Sequence, residues 1–337
     1  MADLKTKYLG IELKNPVIVG ACSLSSHKEN LKRMEDAGAA AIVYKSLFEE
    51  QIQLENLQIS EQMEEFKERN AEMISMYPDI EHAGPEEYLL NLREAVNTVK
   101  IPVFGSLNAI EEETWVEYAK KIEQTGVAGL EVNFYHVPTD HEIIGKAIIN
   151  EQLDIVRAIK KEINIPIAIK LSPYYTNPLY VVKEMDKLGA HGFILFNRLF
   201  QPDIDIEKEV MHFPYNLSQH EDNRFPLRIA GLLYGTIDGN ICSSRGIFNG
   251  KDVISMILAG ADCVQVVSTL YKNKIEQIST ILHELESWMD KKGYRTVKDF
   301  RGNMSRKNIS DPFAYRRAQY VDILMKSEEI FKKSPTI

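Results

Sequence analysis

Eight short apolar runs constrain what this chain can fold into. They read VIVGA (17–21), AIVYKS (41–46), PVFGSLN (102–108), GLEVN (129–133), PIAIK (166–170), GFILFN (192–197), GNICSS (239–244) and CVQVVS (263–268). Valine- and isoleucine-rich runs without polar alternation suit strands buried on both faces, as in parallel sheets. Most are separated by segments of helical periodicity, which predicts an α/β fold of the (β/α)8 TIM barrel type. In that architecture the C-terminal strand ends floor the active site. Lys45, Asn108, Asn133, Lys170, Asn197 and Ser268 are therefore expected to face one pocket.

The 337 residues are expected to form a single domain spanning 1–337, because such barrels run from about 200 to over 400 residues. The opening KYLGIELKNP alternates apolar and polar residues and predicts an N-terminal β-hairpin capping the barrel bottom. A first helix, SSHKENLKRMEDAGA, is expected to start from Ser25 or Ser26 as cap and to stop at Gly38. The same stop recurs in KLGAHGFIL and LAGADCVQV, and more loosely in TGVAGLEV. Two stretches, about 47–100 and 198–235, exceed ordinary loop lengths and are expected to overhang the C-terminal face as long loops. KIEQISTILHELESWMDKKG predicts the last barrel helix, and a helical tail is expected from about residue 294.

A net charge of −9 argues against a nucleic-acid partner. The charge-rich EQMEEFKERNAEM mixes both signs, as a solvated helix face does. No apolar run reaches the roughly 20 residues of a membrane span, and the start lacks the apolar centre of a signal peptide. Cys22, Cys242 and Cys263 sit in or beside apolar runs, as buried reduced thiols do, and no CxxC pair suggests a metal. These features predict a cytoplasmic protein.

Lys45 and Lys170 end apolar runs, and a lysine there needs a partner or a task. Three readings are open: an ion pair, a Schiff-base amine as in an aldolase or lyase, or a cation beside an electron-rich ring. Two lysines and two asparagines on separate strands favour the ring, since asparagine matches a heterocycle of alternating N–H and C=O groups. ICSSRGIFNGKD and VQVVSTLYK follow the seventh and eighth runs, where such barrels build phosphate sites. Arg245 would add a forked contact to a phosphate there. Ser268 and Thr269 serve equally well as helix caps.

The order NPVIVGA, YKS, PVFGSLN, LEVNF, PIAIKLSPY, FILFN, RGIFNGKDVISMILAGADCVQVVS and KGYRTVKDFRG resembles the dihydroorotate dehydrogenase family from about residue 8 to 303. The resemblance implies an FMN barrel that moves hydride between flavin N5 and a CH–CH/C=C bond. By position it implies cofactor contacts at Gly20, Ala21, Lys45, Ser46, Ser106, Asn133, Lys170, Asn197, Arg245, Gly246, Val267 and Ser268. Arg245–Gly246 stands where many members have Gly-Gly, and Val267–Ser268 where many have Gly-Thr.

The substrate side departs from the family pattern. His136 aligns with the family's cysteine or serine base, Pro138 with a substrate asparagine, and Ile74-Ser75-Met76 with an Asn-Ser-Met loop. Arg198 replaces a serine or threonine after Asn197. Imidazole exchanges protons near neutral pH, which suits His136 as the base. Tyr135 is a second candidate acid. The expected catalytic group is His136, Lys170 and Asn133, with Asn133, Asn197 and Arg198 orienting a dihydropyrimidine-like or related small polar substrate. The electron acceptor is unassigned, and a homodimer is implied by resemblance only. An alternative is a flavin-binding electron-transfer subunit with little activity of its own.

Overall fold

The computed structural model describes residues 2–54, 84–135, 137, 139–212 and 217–326. The opening residues form an antiparallel hairpin, β1 (Thr6–Tyr8) with β2 (Ile11–Leu13). Eight parallel strands follow in the expected positions. They are β3 (Val17–Val19), β4 (Ala41–Val43), β6 (Val103–Asn108), β7 (Gly129–Asn133), β8 (Ile167–Leu171), β9 (Gly192–Leu195), β12 (Asn240–Ser243) and β13 (Cys263–Val266). Each pairs with its successor, β13 pairs with β3, and the β4–β6 pairing completes a closed barrel. A two-residue strand, β5 (Leu47–Phe48), adds to the C-terminal end of β6.

Helices wrap this cylinder: α1 (Lys28–Asp36), α2 (Pro85–Thr98), α3 (Glu112–Glu123), α4 (Gly145–Glu162), α5 (Pro178–Lys187), α6 (Arg224–Leu233), α7 (Gly250–Ala259), α8 (Ser268–Asn273) and α9 (Gln277–Lys292). Their apolar stripes pack on the strands' outer faces, so Ile42, Val132, Ile169 and Leu195 are fully buried between sheet and helix. Gly260 (φ +131°) and Gly38 (φ +103°) turn two helices back into strands in left-handed conformations that a side chain strains to adopt.

The hairpin closes the N-terminal end. Tyr8 meets Phe104 edge-on at 5.9 Å, and the Leu9 N–H donates to Asn240 Oδ1 at 2.9 Å. Both contacts fall at strand starts, so the bottom layers of the barrel are filled with side chains, including Ile18, Cys242 and Cys263.

Three details differ from the sequence reading. Ser25 and Ser26 do not cap α1; they belong to a 3-10 turn (Ser23–Ser26), and His27 takes the cap position. Ser25 and Ser26 spend their hydroxyls on the carbonyls of Cys22 and Ser23 instead. Both long stretches are overhanging loops only in part: the first, of which 55–83 lie outside the described residues, ends in helix α2, and the second is likewise only partly loop. It holds a hairpin, β10 (Asp203–Asp205) with β11 (Val210–His212), and ends in barrel helix α6, whose apolar stripe docks on the barrel. Among the described residues, the chain beyond 294 is mostly turns and 3-10 pieces, with one short helix, α10 (Ala318–Met325). Among the described residues, no helix is long and apolar enough to cross a membrane.

Candidate functional site

A cavity of about 360 Å³ opens at the C-terminal end of the barrel, within the range of roughly 300–1,000 Å³ typical of ligand sites. Among the predicted residues, Ala21, Lys45, Ser46 and Lys170 line it, as do Asn197, Arg198, Arg245, Gly246, Val267 and Ser268. Gly20, Ser106 and Asn133 stand behind this wall. Asn133 is tied into it by the Asn197 amide, whose Nδ2 donates to Asn133 Oδ1 at 2.8 Å. Asn108 does not face the pocket; its Nδ2 donates to the Asn133 carbonyl at 2.7 Å and braces β6 against β7. His136, Pro138 and residues 74–76 lie outside the described residues.

Beneath the cavity runs a buried polar network that sequence reasoning did not find. Lys170 Nζ meets Glu131 Oε1 at 3.1 Å, and the two side chains are 8% and 2% exposed. Gln265 Nε2 donates to Glu131 Oε2 at 2.7 Å. Ser106 Oγ donates to Glu131 Oε1 at 3.4 Å and shares a hydrogen bond with Ser46 Oγ at 2.8 Å. Three side chains, from β8, β13 and β6, thus converge on one carboxylate, and Ser46 joins through Ser106. The signal was present as the single acid in GLEVN and the single amide in CVQVV, polar residues inside otherwise apolar strands. A Schiff-base role for Lys170 loses its ground, because that chemistry needs a neutral amine and Lys170 is the cation of a buried ion pair.

Lys45 differs. Burial lowers its ammonium below the ordinary lysine value, and among the described residues no carboxylate pairs with it. Its backbone is anchored: the Tyr88 hydroxyl on α2 donates to the carbonyls of Lys45 at 2.8 Å and Ser106 at 3.2 Å. Burial drives the Tyr88 phenol well above its ordinary range, so it stays a donor.

The loop after β12 builds another part of the cavity wall. Asn249 and Asp252 exchange side-chain hydrogen bonds as a capping box at the start of α7. Asp252 Oδ2 also accepts from the Phe248 N–H at 2.9 Å. That stiff turn presents Arg245 and Gly246, both in left-handed conformation (φ +76° and +66°). For arginine such a conformation costs roughly 1–2 kcal/mol. Gly246 is required by packing as well, since a Cβ there would lie 2.6 Å from the Asn223 backbone nitrogen.

Asp222 lies on that packed turn (His220–Asn223) and was not anticipated. Its Oδ2 pairs with Arg198 Nη1 and its Oδ1 with Arg245 Nη2 at 3.4 Å. Burial alone would raise its carboxyl, but the Gln219 N–H and the two guanidiniums outweigh burial and hold it below the ordinary value. A lowered carboxyl adds stability above the ordinary carboxylate range, and the gain is lost as pH falls through the lowered value. Asp222→Asn is therefore expected to flatten the acid side of the stability–pH profile, as followed by thermal melts. The side chain is partly open to solvent, so the effect is small.

Two cysteines match their expected burial, Cys242 and Cys263. Cys22 does not; it is partly exposed on the cavity wall, because the chain turns outward there into the Ser23–Ser26 turn.

A sequence profile of the family described as Dihydroorotate dehydrogenase matches residues 3–289. The chain is similar to the dihydroorotate dehydrogenase B (NAD(+)) catalytic subunit of Methanocaldococcus jannaschii, at 27% identity over 85% of this chain and 93% of the relative. It is similar to the protein of the same name from Thermoplasma volcanium, at 28% over 90% and 98%. It is also similar to dihydroorotate dehydrogenase A (fumarate) of Lactobacillus helveticus, at 27% over 60% and 68%. A closed eight-strand barrel, a cavity over a buried lysine at its C-terminal end, and a profile match over most of the length agree: the chain belongs to the dihydroorotate dehydrogenase family of oxidoreductases.

Proposed function

We propose that the protein is an FMN-dependent dehydrogenase acting on a CH–CH bond of a small polar acid or dihydropyrimidine. The observation that carries this reading is the cavity's charge, with Lys45, Lys170, Arg198 and Arg245 all lining it at the C-terminal strand ends. The residues present fit the cofactor. A Cβ on Gly20 would lie 2.8 Å from Val267 Cγ2 and 3.0 Å from Gln265 Oε1, so only glycine leaves these two cavity-lining side chains in place. Arg245 Nε is buried without a hydrogen-bond partner among the described residues, a donor suited to a phosphate oxygen. FMN, when bound, supplies the centre that accepts and returns hydride.

The chain's own residues do the rest. Lys45 and Lys170 place positive charge beside the ring, and Ser46, Ser106 and Asn133 fix their surroundings. Ala21, Gly246, Val267 and Ser268 shape the walls. Asn197 and Arg198 orient the substrate, and Arg198 matches a substrate carboxylate or phosphate. His136 takes the substrate proton.

Residues 1–337 act as one domain with a tail from about 294. The Methanocaldococcus and Thermoplasma relatives are named catalytic subunits, which supports a partner chain that carries electrons onward; the acceptor is otherwise open. A homodimer and a cytoplasmic location complete the proposal.

The test is an absorption spectrum of the purified protein, followed by anaerobic titration with reduced pyrimidines, with and without a carboxylate. A flavin band that bleaches on titration supports the reading. A colourless protein that takes up no FMN on reconstitution overturns it. Gly20→Val is expected to weaken FMN retention at least tenfold, about 1.4 kcal/mol, as measured by fluorescence titration of the apoprotein.

A further inference from the structure

We infer that Glu131 is a positioning residue that sets the redox balance of the site through Lys170. The inference rests on the FMN reading above and goes beyond it to a residue that touches neither cofactor nor substrate. Lys170 and Gln265 line the cavity, whereas Glu131 lies behind them at 2% exposure. Both its oxygens are occupied, Oε1 by Lys170 and Ser106 and Oε2 by Gln265.

Three consequences follow from this geometry. The ammonium has one defined position, since Nζ also reaches Gln265 Oε1 at 3.5 Å. The charge presented to the cavity floor is that of an ion pair, not of a bare cation. The pair is also dry, so each charge acts at low dielectric and small displacements matter. A cation favours the electron-rich reduced form of a neighbouring ring, and a carboxylate behind the cation opposes it. Glu131 therefore holds the potential below the value that Lys170 alone would impose. Lys45, half-buried and with no carboxylate partner among the described residues, carries no such counter-charge. The two lysines are thus not equivalent: one is attenuated and one is not.

The experiment measures the flavin midpoint potential of the FMN-loaded protein against reference dyes. Glu131→Gln keeps the side chain's shape and removes its charge. It is expected to raise the potential, shifting the two-electron equilibrium about tenfold, or about 30 mV. Lys170→Met is expected to lower it, and Lys170→Met/Glu131→Gln to return it towards the wild type. Glu131→Asp, which retains the charge, is expected to stay near the wild type.

A glutamate that serves only as a strut would change stability and leave the potential unmoved. An unchanged or lowered potential in Glu131→Gln overturns the inference. Where Glu131→Gln does not fold, the difference between the double variant and Lys170→Met measures the same quantity. A wild-type protein that binds no FMN sinks the underlying reading instead, so the two failures are distinguishable.

Discussion

Lys170→Met is expected to lower folding stability by about 3–5 kcal/mol, the cost of leaving a buried charge without its partner. Glu131 is 2% exposed, so no water replaces the ammonium at 3.1 Å. Gln265 and Ser106 still donate to the carboxylate, but neutral donors do not balance its charge. Equilibrium urea denaturation of the apoprotein reads the loss directly. Adding Glu131→Gln to the same chain is expected to recover most of it, because removing both charges of a buried pair costs far less than removing one. A single variant with the wild-type midpoint would mean that the pair does not act as a buried unit. The stability experiment thus isolates the pair from the cofactor.

His136→Ala is expected to slow flavin reduction by substrate by about 10²–10⁴-fold, the range for loss of a positioned proton-transfer group. FMN binding should be unaffected. Although His136 lies outside the described residues, its neighbours are tethered. Phe134 is buried and packs 5.4 Å from Trp115, and Tyr135 accepts the Phe200 N–H at 3.1 Å through its hydroxyl. These contacts hold the chain leaving β7 close to the loop after β9, where substrate would be gripped from both sides. The imidazole must be neutral to accept a proton, so the wild-type reductive rate is expected to climb as pH rises across neutrality and the variant's is not. Stopped-flow bleaching across that range, for wild type and variant, checks both statements. Identical reductive rates for His136→Ala and wild type would instead favour an electron-transfer subunit.

The barrel was legible because burial on two faces leaves a strong trace: runs such as IAIKL and GFILF have no room for polar alternation. Strand-end residues were legible for the same reason, since a lysine after IAI or an asparagine after GLEV breaks the run. Glu131 and Gln265 escaped notice because they sit inside strands, where a lone polar residue reads as noise until the closed barrel turns several of them onto one axis. Asp222 escaped for a different reason. It lies in a 3-10 turn within a long irregular stretch, and nothing local reveals that the turn packs on Gly246. Cys22 shows the opposite error: an apolar context suggested burial, but the chain turns one residue earlier than a buried thiol requires.

The N-terminal hairpin has a kinetic consequence. With Tyr8 and Leu9 stoppering the base of the cylinder, the described residues leave the cavity no opening from below. Any acceptor that must itself enter cannot approach from below while substrate sits above. Donor and acceptor would then take turns, and initial-rate plots at several fixed acceptor concentrations would give parallel lines. Intersecting lines would mean that electrons leave through the barrel wall, towards a partner that never enters the mouth.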